Sequence, residues 1–140
     1  FCINDSVARF NVPLEKSKAN LENMIERVLK SNPKCEIILM TMTPGDKYPE
    51  GHKSYRKDIA DYYEMYRSVA KKRGLMIIDH YANWKALQAK DRKLFDEYVP
   101  DSVHPTAAGC LNVVTPAILD ALGIKKTAQT SGAVNPRTAP

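Results

Sequence analysis

Two short apolar runs, Cys35 to Thr41 and Leu75 to Ile78, flank a segment whose apolar residues recur at helical spacing. That alternation constrains the chain more than any other feature. An all-apolar strand buries both of its faces, and two such strands joined by a helix lie side by side as parallel neighbours, because the crossover returns the chain to the same end of the sheet. The intervening helix is written by Tyr55, Ile59, Tyr62, Tyr66 and Val69, and Gly74 offers a left-handed cap before the second strand. Upstream, Leu14, Leu21, Met24, Ile25, Val28 and Leu29 predict an amphipathic helix from Leu14 to Lys30, stopped by Ser31-Asn32-Pro33.

Beyond the second strand, Tyr81 to Tyr98 carries a less regular helical pattern in which Trp84 reads as core packing. Pro105 opens a last helix whose apolar side is Ala107, Ala108, Leu111, Val114, Ile118, Leu119 and Leu122, with Gly123 closing it and Pro116 bending it. Phe1 to Ile3 reads as the end of a further strand. Three strands fall short of the roughly five of a doubly wound sheet. The expectation is therefore an α/β domain over residues 1–123 that lacks its amino-terminal strands, followed by a disordered tail over 124–140, a stretch rich in Thr, Ala, Ser, Gly and Pro.

Charge narrows the function classes. There are 21 Lys and Arg against 16 Asp and Glu, a net charge of +5, but the signs alternate, as along Arg56, Lys57, Asp58, Asp61, Glu64 and Arg67. This reads as a solvated helix face, and no one-signed patch invites nucleic acid. The longest mostly apolar stretch, Ile37 to Met42, is far below the roughly 18 residues of a membrane span. Cys2, Cys35 and Cys110 form no C-x-x-C pair and read as packed thiols. The compartment is left open.

In an open parallel sheet the loops leaving the carboxyl ends of the strands share one edge, and ligands bind there. Asn4-Asp5-Ser6, the loop Thr43 to Lys53, Asp79-His80-Tyr81 and Asp101-Ser102-Val103-His104 all belong to that edge. Pro105 keeps His104 out of helical geometry, and an aspartate three residues earlier can reach its imidazole, the orienter-and-base half of a nucleophilic triad. Alternatively, Asp101 caps the last helix and His104 is an ordinary surface residue. Asn4 can donate its amide to an oxyanion or merely end a strand in an Asx-turn. Asp46, Tyr48 and His52 form a possible substrate loop, with Tyr48 able to stack on a sugar ring. Tyr62, Tyr63 and Tyr66 read as a packing face with hydroxyls at the rim.

Taken in order, Phe1-Cys2-Ile3-Asn4-Asp5, the strand ending Thr41-Met42-Thr43-Pro44, the strand ending Ile77-Ile78-Asp79 and the segment Asp101-Ser102-Val103-His104-Pro105-Thr106-Ala107-Ala108-Gly109 resemble the SGNH (GDSL) hydrolases. The resemblance implies a three-layer α/β/α flavodoxin-like fold and a serine esterase that needs no cofactor and no metal. It matches His104 to the general base, Asp101 to its acidic partner and Asn4 to an oxyanion-hole donor. The Gly-Asp-Ser block with the nucleophile is absent, so the missing amino-terminal segment is expected to supply it and to complete the sheet. Cys2 stands where that family commonly has Gly. Ser6 lacks the sharp elbow of a nucleophile. An ester substrate follows from the resemblance, with an acylated carbohydrate as the candidate. Two other readings stay open: a catalytically incomplete binding module of the same fold, and a Mg-dependent phosphoryl site built on Asp5, Asp46, Asp79 and Asp101 at the strand ends.

Overall fold

The computed structural model of the chain describes residues 2–124. At its centre, β1 (Ile38–Met40) and β2 (Met76–Ile78) pair in parallel, with Ile38 opposite Met76, Leu39 opposite Ile77 and Met40 opposite Ile78. The Thr41 amide extends the ladder by donating to the Ile78 carbonyl at 3.1 Å. The first run is thus shorter as a strand than its apolar composition suggests. Pairing begins only at Met76, because the preceding Leu75 amide is used to close the helix before it, donating to Ala70 at 2.9 Å.

Helix α2 (Leu14–Ser31) and helix α3 (Ile59–Arg73) lie against one face of this ladder. Leu21 and Ile25 meet Leu39 and the α3 residues Tyr62, Tyr63, Met65, Tyr66, Val69 and Ala70 in a single core. Each large apolar side chain so buried contributes roughly 1.5–3 kcal/mol. Gly74 ends α3 at φ +63°, as its position predicts. A second core forms where α4 (His80–Lys90) packs on α5 (Arg92–Tyr98): Trp84 meets Phe95 edge-on at 6.2 Å, beside Val99.

The last helix starts at α6 (Ala107–Gly109), passes through a π turn at Cys110–Val114 and ends in α7 (Thr115–Ala121). Within the π turn the Thr115 amide reaches back five residues to the Cys110 carbonyl. A proline ring collides with the carbonyl four residues earlier in a regular helix. The wider turn immediately before Pro116 accommodates that ring, so the disturbance expected at this proline is a π turn.

Three expectations are corrected. Phe1–Ile3 is not a strand end in its described part: Cys2–Asp5 forms one helical turn, α1, and the Ile3 carbonyl serves the Ser6 hydroxyl and the Arg56 side chain instead of a ladder. The sheet is not covered on both faces by the described residues. Ile38, Met40, Met42 and Met76 are 36%, 42%, 37% and 44% exposed, since α2 and α3 share the opposite face and α7 packs against β2. The Tyr63 hydroxyl is buried, donating to the Thr43 carbonyl at 2.9 Å, and so holds the loop after β1. Of the tail expected over 124–140, all but Ile124 lies outside the described residues.

Candidate active site

The segment Asp101–His104 is a tight turn whose second residue, Ser102, has φ +57°, a left-handed conformation that costs a non-glycine residue about 1 kcal/mol or more. Neighbouring contacts hold it there. Ser102 and Val103 are buried, the Ser102 carbonyl accepts from the Gly45 amide at 2.8 Å, its hydroxyl accepts from the Lys47 amide at 2.9 Å, and the Val103 carbonyl accepts from the Thr43 hydroxyl at 2.8 Å. The Lys47 ammonium also donates to the Pro100 carbonyl. The loop following β1 is thereby bolted to the turn preceding α6.

Within this turn Asp101 Oδ1 accepts from the Val103 and His104 amides at 2.9 and 2.7 Å, and Oδ2 meets His104 Nδ1 at 2.7 Å. Burial alone would raise the carboxyl. The His104 amide and imidazole and the Val103 amide more than offset it and hold Asp101 down to about 2. An ionised carboxylate only accepts, so Nδ1 carries the proton and Nε2 is the lone-pair nitrogen of the neutral ring. The His104 side chain is 83% exposed. Asp101 is not the cap of the last helix: that role falls to Thr106, whose hydroxyl accepts from the Gly109 amide at 3.2 Å.

Asn4 lies on α1, exposed. It is linked to the turn through Arg56, which the sequence reading assigned to a solvated face. Arg56 is half-buried: Nε donates to the Ile3 carbonyl and Nη1 to the Ser54 carbonyl, both at 2.9 Å. Its stem crosses Gly45 so closely that a Cβ there would sit 2.7 Å from Cδ, and Gly45 itself has φ +62°. Burial lowers the Arg56 guanidinium from its ordinary value, while the charges of Tyr63, Asp101 and Tyr48 act in the opposite direction. Thus Arg56 holds the carbonyl next to Asn4 while its stem lies on Gly45, whose amide donates to the Ser102 carbonyl of the turn. No spacing signal separates Arg56 from its charged neighbours.

Arg67 departs from the solvated face as well. Its guanidinium grips Asp79 through Nε at 2.8 Å and Nη2 at 3.2 Å, and Asp79 also accepts from the Thr41 hydroxyl at 2.7 Å and the Ala82 amide at 3.2 Å. Asp79 is committed to fixing the start of α4. The other strand-end carboxylates are separately engaged: Asp5 by the Ser17 hydroxyl at 2.7 Å, Asp46 by Lys85 at 3.4 Å and Gln88 at 3.2 Å. Among the described residues no three His, Cys, Asp or Glu side chains group to hold a metal.

On the loop after β1, Tyr48 and His52 stack face to face, 4.1 Å between centroids and 7° between planes. The Ser54 amide donates to His52 Nδ1 at 3.1 Å, so in the neutral ring the proton sits on Nε2. Asp46, tied to α4, stands apart from that pair. The Ser6 hydroxyl donates to the Ile3 carbonyl at 3.0 Å and is buried. A cavity of about 370 Å³ lies between α1 and the start of α3, lined by Asp5, Asn11, Asp58 and Tyr62, and neither Asn4 nor His104 lines it.

Residues 1–110 match the model of the GDSL-like Lipase/Acylhydrolase family. Among solved structures, one described as a GDSL-like lipase from Parabacteroides merdae is 13% identical with a TM-score of 0.72, covering 89% of this chain and 56% of its own. A catalytic mutant of an acetylxylan esterase from Geobacillus stearothermophilus is 23% identical with a TM-score of 0.64, covering 88% of this chain and 57% of its own. The chain therefore spans little more than half the length of each. No curated protein matches it. No described helix is long and apolar enough to cross a membrane.

Proposed function

The chain belongs to the GDSL-like lipase/acylhydrolase family, and from that premise we propose that it carries the base, the acidic partner and one oxyanion donor of a serine-type ester hydrolase. The observation that carries this reading is the 2.7 Å contact between Asp101 Oδ2 and His104 Nδ1, in a carboxylate already fixed by two backbone amides. A serine hydroxyl gives its proton to His104 Nε2 as its oxygen attacks the ester carbonyl. Asp101 steadies the imidazolium, and the Asn4 amide donates to the developing oxyanion. His104 then returns the proton to the departing alcohol. Water repeats the sequence on the acyl-enzyme.

The attacking serine is proposed to lie on a segment preceding Phe1. Support comes from the uncovered sheet face at Ile38, Met40, Met42 and Met76, which further strands and helices of the same domain would cover, and from the engaged hydroxyls of Ser6 and Ser102. Small acyl groups such as acetyl on a carbohydrate are proposed as substrates, with the Tyr48–His52 stack offering its outer faces to a sugar ring. The acetylxylan esterase likeness agrees with that choice. In the full-length protein, His104→Ala should lower aryl acetate hydrolysis by roughly 10³-fold or more. Unchanged turnover in that variant would overturn the reading. A binding module that has lost its chemistry is the second reading, favoured by the same apolar face. It predicts no hydrolysis from the folded full-length protein.

A further inference from the structure

We infer that Arg56 is a positioning residue that keeps the oxyanion segment in register with the general base. This rests on the ester-hydrolase reading. Asn4 and His104 lie a hundred residues apart on elements that share no ladder, so something must fix one against the other. Arg56 is suited to it from both sides. Toward α1, its Nε holds the Ile3 carbonyl, one peptide before Asn4, and its own backbone forms an antiparallel bridge with Val7, reinforced by the Ala8 amide donating to the Tyr55 carbonyl at 2.9 Å. Toward the turn, its stem lies on Gly45, whose amide donates to the Ser102 carbonyl between Asp101 and His104. The second nitrogen, Nη1, is fixed by Ser54, so the planar group cannot swing. Ile3, Arg56, Gly45 and Ser102 make a continuous strap from the amide donor to the base.

The chemistry of the guanidinium matters here. A planar fork can hold two carbonyls at fixed angle, whereas a lysine ammonium is a single flexible point. A displacement of about 1 Å in a donor of this kind lowers turnover by roughly 10²-fold.

The test is a double-mutant cycle on the full-length protein, with aryl acetate as the probe and circular dichroism confirming folding. Arg56→Gln should lower kcat about 10- to 100-fold with KM within about threefold of wild type, and Arg56→Lys should lower it about tenfold. In an Asn4→Ala background the Arg56→Gln loss should shrink to less than about threefold, because a strap that acts through Asn4 has nothing left to position. A merely structural role would cost the same in both backgrounds. Folded Arg56→Gln turning over like wild type, or losses that multiply with Asn4→Ala, would overturn the inference. Should the glutamine variant not fold, Arg56→Lys at wild-type kcat does the same. His104→Ala separates the two failures: with that variant inactive, wild-type kcat at position 56 defeats the strap alone, and with it active the hydrolase reading fails first.

Discussion

Replacing Asp101 by Asn keeps the shape of the turn and removes its charge, so it separates what the carboxylate does for folding from what it does for His104. Folding is the smaller effect. Asp101 is held at about 2 against 3.8 for an ordinary aspartate. At about 1.36 kcal/mol per tenfold this amounts to an upper bound near 2.4 kcal/mol. With the side chain 39% exposed, solvent screening leaves about 1 kcal/mol. The folded-state value is depressed, so the unfolded chain binds the proton first. The contribution is complete above about pH 4 and fades as the pH falls toward 2. Urea titrations of wild type and Asp101→Asn from pH 7 to 2 should differ by about 1 kcal/mol at the upper end and converge at the lower. Turnover is the larger effect: an asparagine amide facing Nδ1 favours the wrong tautomer, and kcat for aryl acetate in the full-length protein should fall by about 10²- to 10⁴-fold with KM little changed. Stability curves that stay parallel down to pH 2, or a kcat within about threefold of wild type, would refute this account of the turn.

Gly109→Ala should destabilise by about 1–3 kcal/mol, since the new methyl would lie 2.8 Å from the Tyr98 carbonyl oxygen and 3.3 Å from Trp84, and denaturant unfolding measures it. Gly45→Ala combines a left-handed backbone with the Arg56 stem and should cost about 1–2 kcal/mol while lowering kcat, read by unfolding and by aryl acetate turnover. His80 is 1% exposed and burial lowers its imidazole from the usual value, so stability should begin to fall as the pH drops below about 6.5, and His80→Leu should remove that slope in urea midpoints taken from pH 7.5 to 5.

Local patterns were legible and remote contacts were not. The α3 helix could be read because Ile59, Tyr62, Tyr66 and Val69 share one stripe, and every one of them is buried. Asp101 and His104 are three residues apart, so their contact needs only a turn, which Pro105 already enforces. Phe1–Ile3 misled because an apolar tripeptide declares itself a strand only through a partner, and here the Ile3 carbonyl answers to side chains. Arg56 and Arg67 sat in an alternation of charges that is the ordinary signature of a wet helix face. What distinguishes them is the position of Ile3, Ser54 and Asp79 in space, which no spacing encodes.

Three of the four residues on the open side of the sheet are methionines, and that composition gives the surface a chemistry of its own. Thioether sulfurs accessible to peroxide become sulfoxides, which are polar and disfavour reburial. Met40, Met42 and Met76 would therefore oxidise readily wherever that side meets water and resist wherever further polypeptide lies over it. Peptide mass mapping after brief oxidant exposure turns those three sulfurs into a footprint of whatever covers them, while half-buried Met24 on α2 serves as the internal standard.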